Sequence, residues 1–253
     1  DQAFFEKCED KIPYLNQLLH PIFGDDVFKL KGNSFHFENT LPKQIFNAFE
    51  GQIDTGKMMQ ELLKKAQRQD ILILNSIEVK SFTELNHQVE IQLSHFTFKA
   101  SRLFIANNAF AKNLLDLDVT SVRNQVLITK PIKNLQIKGT FHLDEGYFYF
   151  RNIANRILLG GGRNLDHETE TTSGFGITDT IQNALEKLLS EVILPNQDYE
   201  IEQRWSGILG VGTQKKPIVK PISNSVFCAV RLGGMGVAIG SQVGKDLADL
   251  IEG

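Results

Sequence analysis

Cysteine is nearly absent. Cys8 and Cys228 are the only two in 253 residues, too few for a disulfide framework, and isolated thiols in a chain of this size read as reduced and buried. Positive charge is not in excess either. The 27 Lys and Arg against 30 Asp and Glu give a net charge of −3, which leaves no electrostatic footprint for nucleic acid. No apolar run reaches the roughly 18 residues of a membrane span. Six histidines, at 20, 36, 87, 95, 142 and 167, form no pair with ligand spacing beside a carboxylate, so no metal centre is expected. The N-terminus, DQAFFEKCEDKI, is acidic and amphipathic and does not read as a signal peptide. It opens without Met, and a processed or incomplete chain is the expectation. A cytoplasmic protein is expected, with enough residues for one large core or two small ones.

Periodicity supplies the elements. Residues 2–20 carry a helical apolar stripe interrupted by Pro13. FKLKGNSFHFEN (28–39) alternates and reads as a strand. Asp54 or Thr55 is placed to cap a helix with Met58, Met59, Leu62, Leu63 and Ala66 on one face. Short β-like runs follow at ILIL (71–74), IEVKSFTEL (77–85), QVEIQL (88–93) and FTFKASRLFIA (96–106). From 122 to 163 the pattern is almost all strand, with Gly and Asn turns that fit an antiparallel sheet. TDTIQNALEKLLSEV (178–192) is an amphipathic helix, DYEIEQRWSGI is strand-like, and the chain closes on strand, glycine loop and helix. The fold class expected is mixed α and β, with an antiparallel block in the middle and α/β pieces on both sides.

Several partial motifs fail on their chemistry. GQIDTGK (51–57) has the glycine and lysine spacing of a phosphate loop, but Met58 stands where a Ser or Thr would hold magnesium. It reads better as a loop entering the following helix. Ser206 is followed at once by Gly207, and no strand-turn-helix context makes it a nucleophile elbow. His142, Asp144 and Glu145 fall together on a hairpin turn and read as solvated. Lys215 reads as solvated too, while Lys216 reads equally as a solvated turn or as a partner for an anionic ligand. Tyr147, Tyr149 and Arg151 alternate with Phe148 and Phe150, which puts the three polar groups on one sheet face, either facing solvent or facing a ligand.

The order of the longer motifs is more specific. FEGQIDTGKMMQELLKKAQRQ, NSIEV, ASRLFIANNAFAKNLL, VRNQVLITKP, EGYFYFRNIANRILLGGGRN, RWSGILGVGTQKKPIV and VRLGGMGVAIGSQVGKDLADLI follow one another along nearly the whole chain. In that order they resemble the FAD-dependent D-amino-acid oxidase family, which includes glycine oxidase and sarcosine oxidase. The resemblance implies FAD as cofactor and hydride removal from an amine or amino acid-like substrate to the flavin, with no obligatory acid–base side chain. It implies that Gly233, Gly234, Met235, Gly236 and Val237 form a loop and helix start closing over the flavin. There the amides of a helix N-terminus favour negative charge. Val79, Ala106, Asn107, Trp205 and Gly207 are the other cofactor-binding candidates. Tyr147, Tyr149, Arg151, Lys216 and Arg231 are the substrate-binding candidates.

The resemblance also divides the chain. Residues 49–116 and 205–253 would belong to the FAD domain, and residues 1–48 and 117–204 to a substrate domain built on the antiparallel sheet. Two departures stand out. The family opens with strand, G-x-G-x-x-G and helix, and nothing in residues 1–50 fits this. That segment is expected upstream of Asp1, with an exposed apolar surface where it would pack. Relatives also place an Arg four residues after the Trp of the W-x-G strand to fork onto a substrate carboxylate. Here that place is Leu209, and Arg204, Arg231 or Arg151 would have to substitute. The rival reading is a truncated, catalytically inactive interaction module without bound flavin.

Overall fold

The computed structural model describes residues 2–251. In chain order its elements are α1 (Gln2–Glu9), α2 (Ile12–Phe23), β1 (Phe28–Gly32), β2 (Lys43–Asn47), α3 (Thr55–Gln67), β3 (Val79–Leu85) and β4 (Gln88–Leu93). Then come β5 (Thr97–Ala100), β6 (Leu103–Ile105), β7 (Thr120–Thr129), β8 (Thr140–Leu143), β9 (Phe148–Ile153), β10 (Arg156–Gly161), α4 (His167–Glu170) and α5 (Asp179–Leu188). The last are β11 (Ile201–Val211), β12 (Ile218–Pro221), β13 (Val226–Val230) and α6 (Gly236–Asp249). Helix and antiparallel sheet are mixed, as expected. The chain divides into two compact units and passes between them several times.

Unit one holds the described residues up to Gln52, Gln125–Asp166 and Gly176–Ser206. Pro13 sits in the first turn of α2, where its missing N–H costs nothing, so it starts a second helix instead of kinking the first. The large sheet has the order β11-β7-β10-β9-β8, and β10 pairs antiparallel with both β7 and β9. One face of it buries Leu127, Phe150, Ile157 and Leu159 against Ile181, Leu185, Leu189 and Ile193. The last four come from α5 and the single wide turn (Leu189–Ile193) that ends it. The stripe read from 178–192, Ile181, Leu185, Leu188 and Val192, matches that face in its first half. The wide turn shifts the deepest positions to Leu189 and Ile193 and leaves Leu188 and Val192 half-buried beside them. Gln125, fully buried, fixes where α5 begins. Its Oε1 accepts from the Thr178 amide at 3.0 Å and from Gln182 Nε2 at 3.1 Å, while its Nε2 donates to Thr178 Oγ1 at 2.9 Å.

The strand expected over 28–39 is cut short at Gly32. Asn33 takes both backbone groups of Phe37, donating to its carbonyl at 2.6 Å and accepting from its amide at 3.0 Å. The loop this closes inserts Phe35 and Phe37 into an aromatic cluster. There Phe141 stacks on Phe150 at 4.5 Å between centroids, and Phe37 meets both edge-on. The alternation seen in the sequence is real, but the side-chain hydrogen bonds of one Asn outbid the ladder.

Unit two holds Ile53–Asn124, His167–Phe175 and the chain from Gly207 on. Asp54 caps α3, its Oδ1 accepting from the Lys57 amide at 3.0 Å, so 51–54 is a helix entry and not a phosphate loop. The ILIL run joins no ladder: Ile71, Leu72, Ile73 and Leu74 are exposed, as are Met59, Leu62 and Leu63 of α3. β3, β4 and β5 make an antiparallel meander. β12, β13 and β6 make a second sheet, in which β13 and β6 run parallel. All five residues of β13 are buried. Val226, Cys228 and Val230 face Val89, Ile91 and Leu93 of β4, while Phe227 and Ala229 face Val243 and Leu247 of α6. A strand covered on both faces has no polar side, which is why VFCAV shows no alternation.

Candidate cofactor loop in unit two

Parallel pairing of β6 and β13 sends both chains off the same edge of the sheet. Leu103, Phe104 and Ile105 stand opposite Val226, Phe227 and Cys228. Beyond their carboxyl ends lie Ala106–Asn108 and Arg231–Gly234, the position where α/β sheets place their ligands. The two loops are tied together. The Leu232 amide donates to Asn108 Oδ1 at 2.9 Å, and the Gly233 amide donates to the Gly210 carbonyl at 2.9 Å. Asn108, Arg231 and Gly233 are left-handed, with φ of 48°, 64° and 56°. The backbone strain therefore falls on Arg231 and, more mildly, on Asn108, while Gly233 takes this conformation freely. Gly234 and Gly236 are not left-handed, so a need for positive φ is not what requires glycine there.

Openness is what marks this loop. A Cβ built on Gly233 or Gly234 would meet nothing within 4 Å, and one on Gly236 would touch only Leu232, at 3.5 Å. The tight glycines lie elsewhere. At Gly210 a Cβ would come within 3.0 Å of the Ala109 amide, and at Gly212 within 2.5 Å of the Asp118 carbonyl oxygen. α6 starts directly after the loop, with the amides of Ala238 and Ile239 donating to Met235 at 3.0 and 3.1 Å. The amides ahead of them, at Gly236 and Val237, belong to the first turn that an α-helix leaves unsatisfied from within.

The remaining candidates separate by unit. Val79 opens β3 in unit two, half-buried against the Val89–Val230 core. Ala106 and Asn107 are exposed, and Lys216 is exposed with its carbonyl accepting from Arg231 Nε at 2.8 Å. Trp205 and Gly207 lie on β11, Trp205 in unit one and Gly207 in unit two. Ser206, on that unbroken strand, accepts from the Gly176 amide at 3.0 Å through Oγ. Tyr147, Tyr149 and Arg151 are half-buried in unit one. Tyr147 precedes β9, and its helical backbone breaks the alternation with the other two. Arg204 is ion-paired to Glu186 at 2.9 Å and donates to Gln182 at 2.9 Å. Among the described residues no cluster of three or more metal-ligating side chains exists, and no helix is long and apolar enough to cross a membrane.

Sequence reasoning missed Asp118. Its carboxylate takes the Thr213 amide at 3.0 Å, the Thr213 hydroxyl at 2.6 Å and Arg231 Nη1 at 2.6 Å. The Thr213 hydroxyl first, then the Thr213 amide and the Arg231 charge, hold its pKa below the ordinary carboxylate range. No local pattern around Asp118 announces this. Asn108 had a faint signal, as the third residue of an Asn-rich turn after a strand.

A family model for FAD dependent oxidoreductases matches residues 26–250. The chain belongs to that family. Among solved structures it is similar to glycine oxidase from Bacillus cereus, with a TM-score of 0.80 and 14% identity over 96% of this chain and 69% of that one. It is also similar to L-proline dehydrogenase from P. horikoshii, with a TM-score of 0.73 and 20% identity over 83% of this chain and 59% of that one. A curated relative, DNA translocase FtsK of Campylobacter jejuni, is 25% identical over 148 residues. That match takes in 58% of this chain and 16% of the relative.

Proposed function

We propose that this chain binds FAD and takes part in oxidising an amine or an amino acid-like small molecule. The observation that carries the reading is the cross-tied pair of loops at the carboxyl ends of β6 and β13, with the open glycine backbone of Gly233 and Gly234. Family membership names the group that such a cradle would take. The residues fit it. Backbone without a Cβ admits a flat ring at van der Waals distance, and first-turn amides favour the negative charge of phosphate or of a reduced ring.

When bound, FAD supplies the hydride acceptor. The chain's own part is placement. Gly233, Gly234, Met235, Gly236 and Val237 would hold the cofactor with Ala106 and Asn107, and Val79, Trp205 and Gly207 complete the proposed contacts. Tyr147, Tyr149 and Arg151 are the proposed substrate contacts, with Lys216 as a partner for an anionic group. The test is direct. The purified protein is titrated with FAD and the bound flavin read by absorbance and fluorescence, and a panel of glycine, sarcosine and proline is then assayed for dye reduction. Bound flavin with reduction by one of the panel is expected. A colourless protein that takes up no FAD overturns the proposal in favour of a flavin-free interaction module.

A further inference from the structure

Arg231 is the first residue of the turn that leaves β13. Its left-handed backbone, φ 64°, is a conformation that disfavours any residue with a Cβ. Something must hold it there. The side chain is only 8% exposed, and two of its three donor nitrogens meet acceptors of this chain. Nε donates to the Lys216 carbonyl at 2.8 Å, and Nη1 donates to the Asp118 carbonyl at 3.2 Å and to Asp118 Oδ2 at 2.6 Å. The same carboxylate is pinned by the amide and hydroxyl of Thr213. Gly212 leaves room for the arrangement, since a Cβ there would stand 2.6 Å from Arg231 Cδ. The next two residues are held as well, Leu232 by Asn108 and Gly233 by Gly210. Separate stretches of chain thus converge on three consecutive residues.

A carboxylate fork needs two parallel N–H groups of the guanidinium. Here Nε and Nη1 are directed to Lys216 and Asp118. We infer that Arg231 is a positioning residue, whose pairing with Asp118 and Lys216 sets the turn that presents the Gly233–Gly234 backbone, and that it is not the group that grips a substrate carboxylate. What the turn presents rests on the FAD reading above. The hold on the turn rests on the geometry alone.

Two variants test it, Asp118→Asn and Arg231→Lys. The first removes the charge while keeping an oxygen for Thr213. The second keeps the charge and removes the planar fork. Amide hydrogen exchange is followed in the cofactor-free protein, and FAD affinity by titration. Exchange at Leu232 and Gly233 is expected to quicken about tenfold in both variants, a charge-assisted bond discounted for the exposure of Asp118. Exchange at Ile91 and Cys228, in the core, is expected to stay unchanged, and FAD affinity to fall. Unchanged exchange at the turn overturns the inference, and so does exchange that quickens equally in the core. Quicker exchange with unaltered FAD affinity overturns the positioning role. A raised KM for a carboxylate substrate in Arg231→Lys, with FAD affinity intact, would restore Arg231 to the substrate. Wild-type protein that takes up no FAD defeats the cofactor reading by itself, and the exchange measurement still decides whether the pair holds the turn.

Discussion

Replacing Gly234 by Ala, and then by Val, separates a cofactor loop from a mere turn. The backbone at Gly234 is not left-handed, and its added Cβ would meet no atom of this chain within 4 Å. Folding should therefore notice little, with a stability change within about 0.5 kcal/mol, as for surface positions without special geometry. If the open space holds the cofactor, the methyl enters an occupied surface. Overpacking at a close contact costs about 1–3 kcal/mol, which weakens FAD binding by about 5- to 150-fold, with Val at the upper end. Gly233 is the control. Its φ of 56° makes Ala a strained substitution whatever the space, so there both folding and binding should suffer, folding by about 1 kcal/mol. The measurements are flavin absorbance per chain, a dissociation constant from fluorescence titration, and a thermal melt. A Gly234→Val protein with wild-type FAD affinity would refute the reasoning and leave the loop as a strand-helix connection.

Further expectations follow from the same geometry. Gly161 has φ of 116° and a Cβ there would overlap the Tyr147 carbonyl oxygen; Gly161→Ala should cost at least about 3 kcal/mol and lower the melting temperature sharply. Glu170 is 1% exposed and ion-paired to Arg123 Nη2 at 2.7 Å, so Glu170→Gln removes the carboxylate charge beside a buried guanidinium and should cost about 3 kcal/mol by denaturant titration, with Arg123→Met added in the same chain recovering much of it. A loss under about 1 kcal/mol would mean that water reaches the pair. Asp118 has a depressed pKa, so its stabilisation is complete above the ordinary carboxylate value and is lost as pH falls through the lowered one. Protection of the Arg231–Gly233 amides, taken relative to their intrinsic exchange rate at each pH, should stay flat above the ordinary carboxylate value and fall only below it, and Asp118→Asn should abolish that acid limb. An acid limb that persists in Asp118→Asn belongs to another group.

Local chemistry made much of the fold legible. QVEIQL is β4 residue for residue, because its alternation and flanking turns leave one register that buries Val89, Ile91 and Leu93. Asp54 could be named as a cap because a cap depends on three neighbouring residues. The 178–192 helix and the glycine loop before α6 were readable for the same reason, as both are patterns within one turn or one face. FKLKGNSFHFEN and ILIL misled for a related cause. Alternation and β-branched content describe a segment that would pair, and pairing also needs a partner edge. Asn33 diverted one segment into a loop, and the other has no ladder among the described residues.

The tertiary structure alone decided which loops share an edge. Nothing near Leu103 says that it stands opposite Val226, or that the pair runs parallel, because parallel neighbours are joined by long crossovers and carry no turn signal of their own. That single pairing puts Asn108 on the Leu232 amide. The tie of Arg231 to Asp118, across 113 residues of chain, is likewise invisible locally. From sequence, Arg231 was one of several cations eligible to grip a substrate. Charge type is written in a residue, but which of its donors are already spent depends on what the fold brings within hydrogen-bond distance.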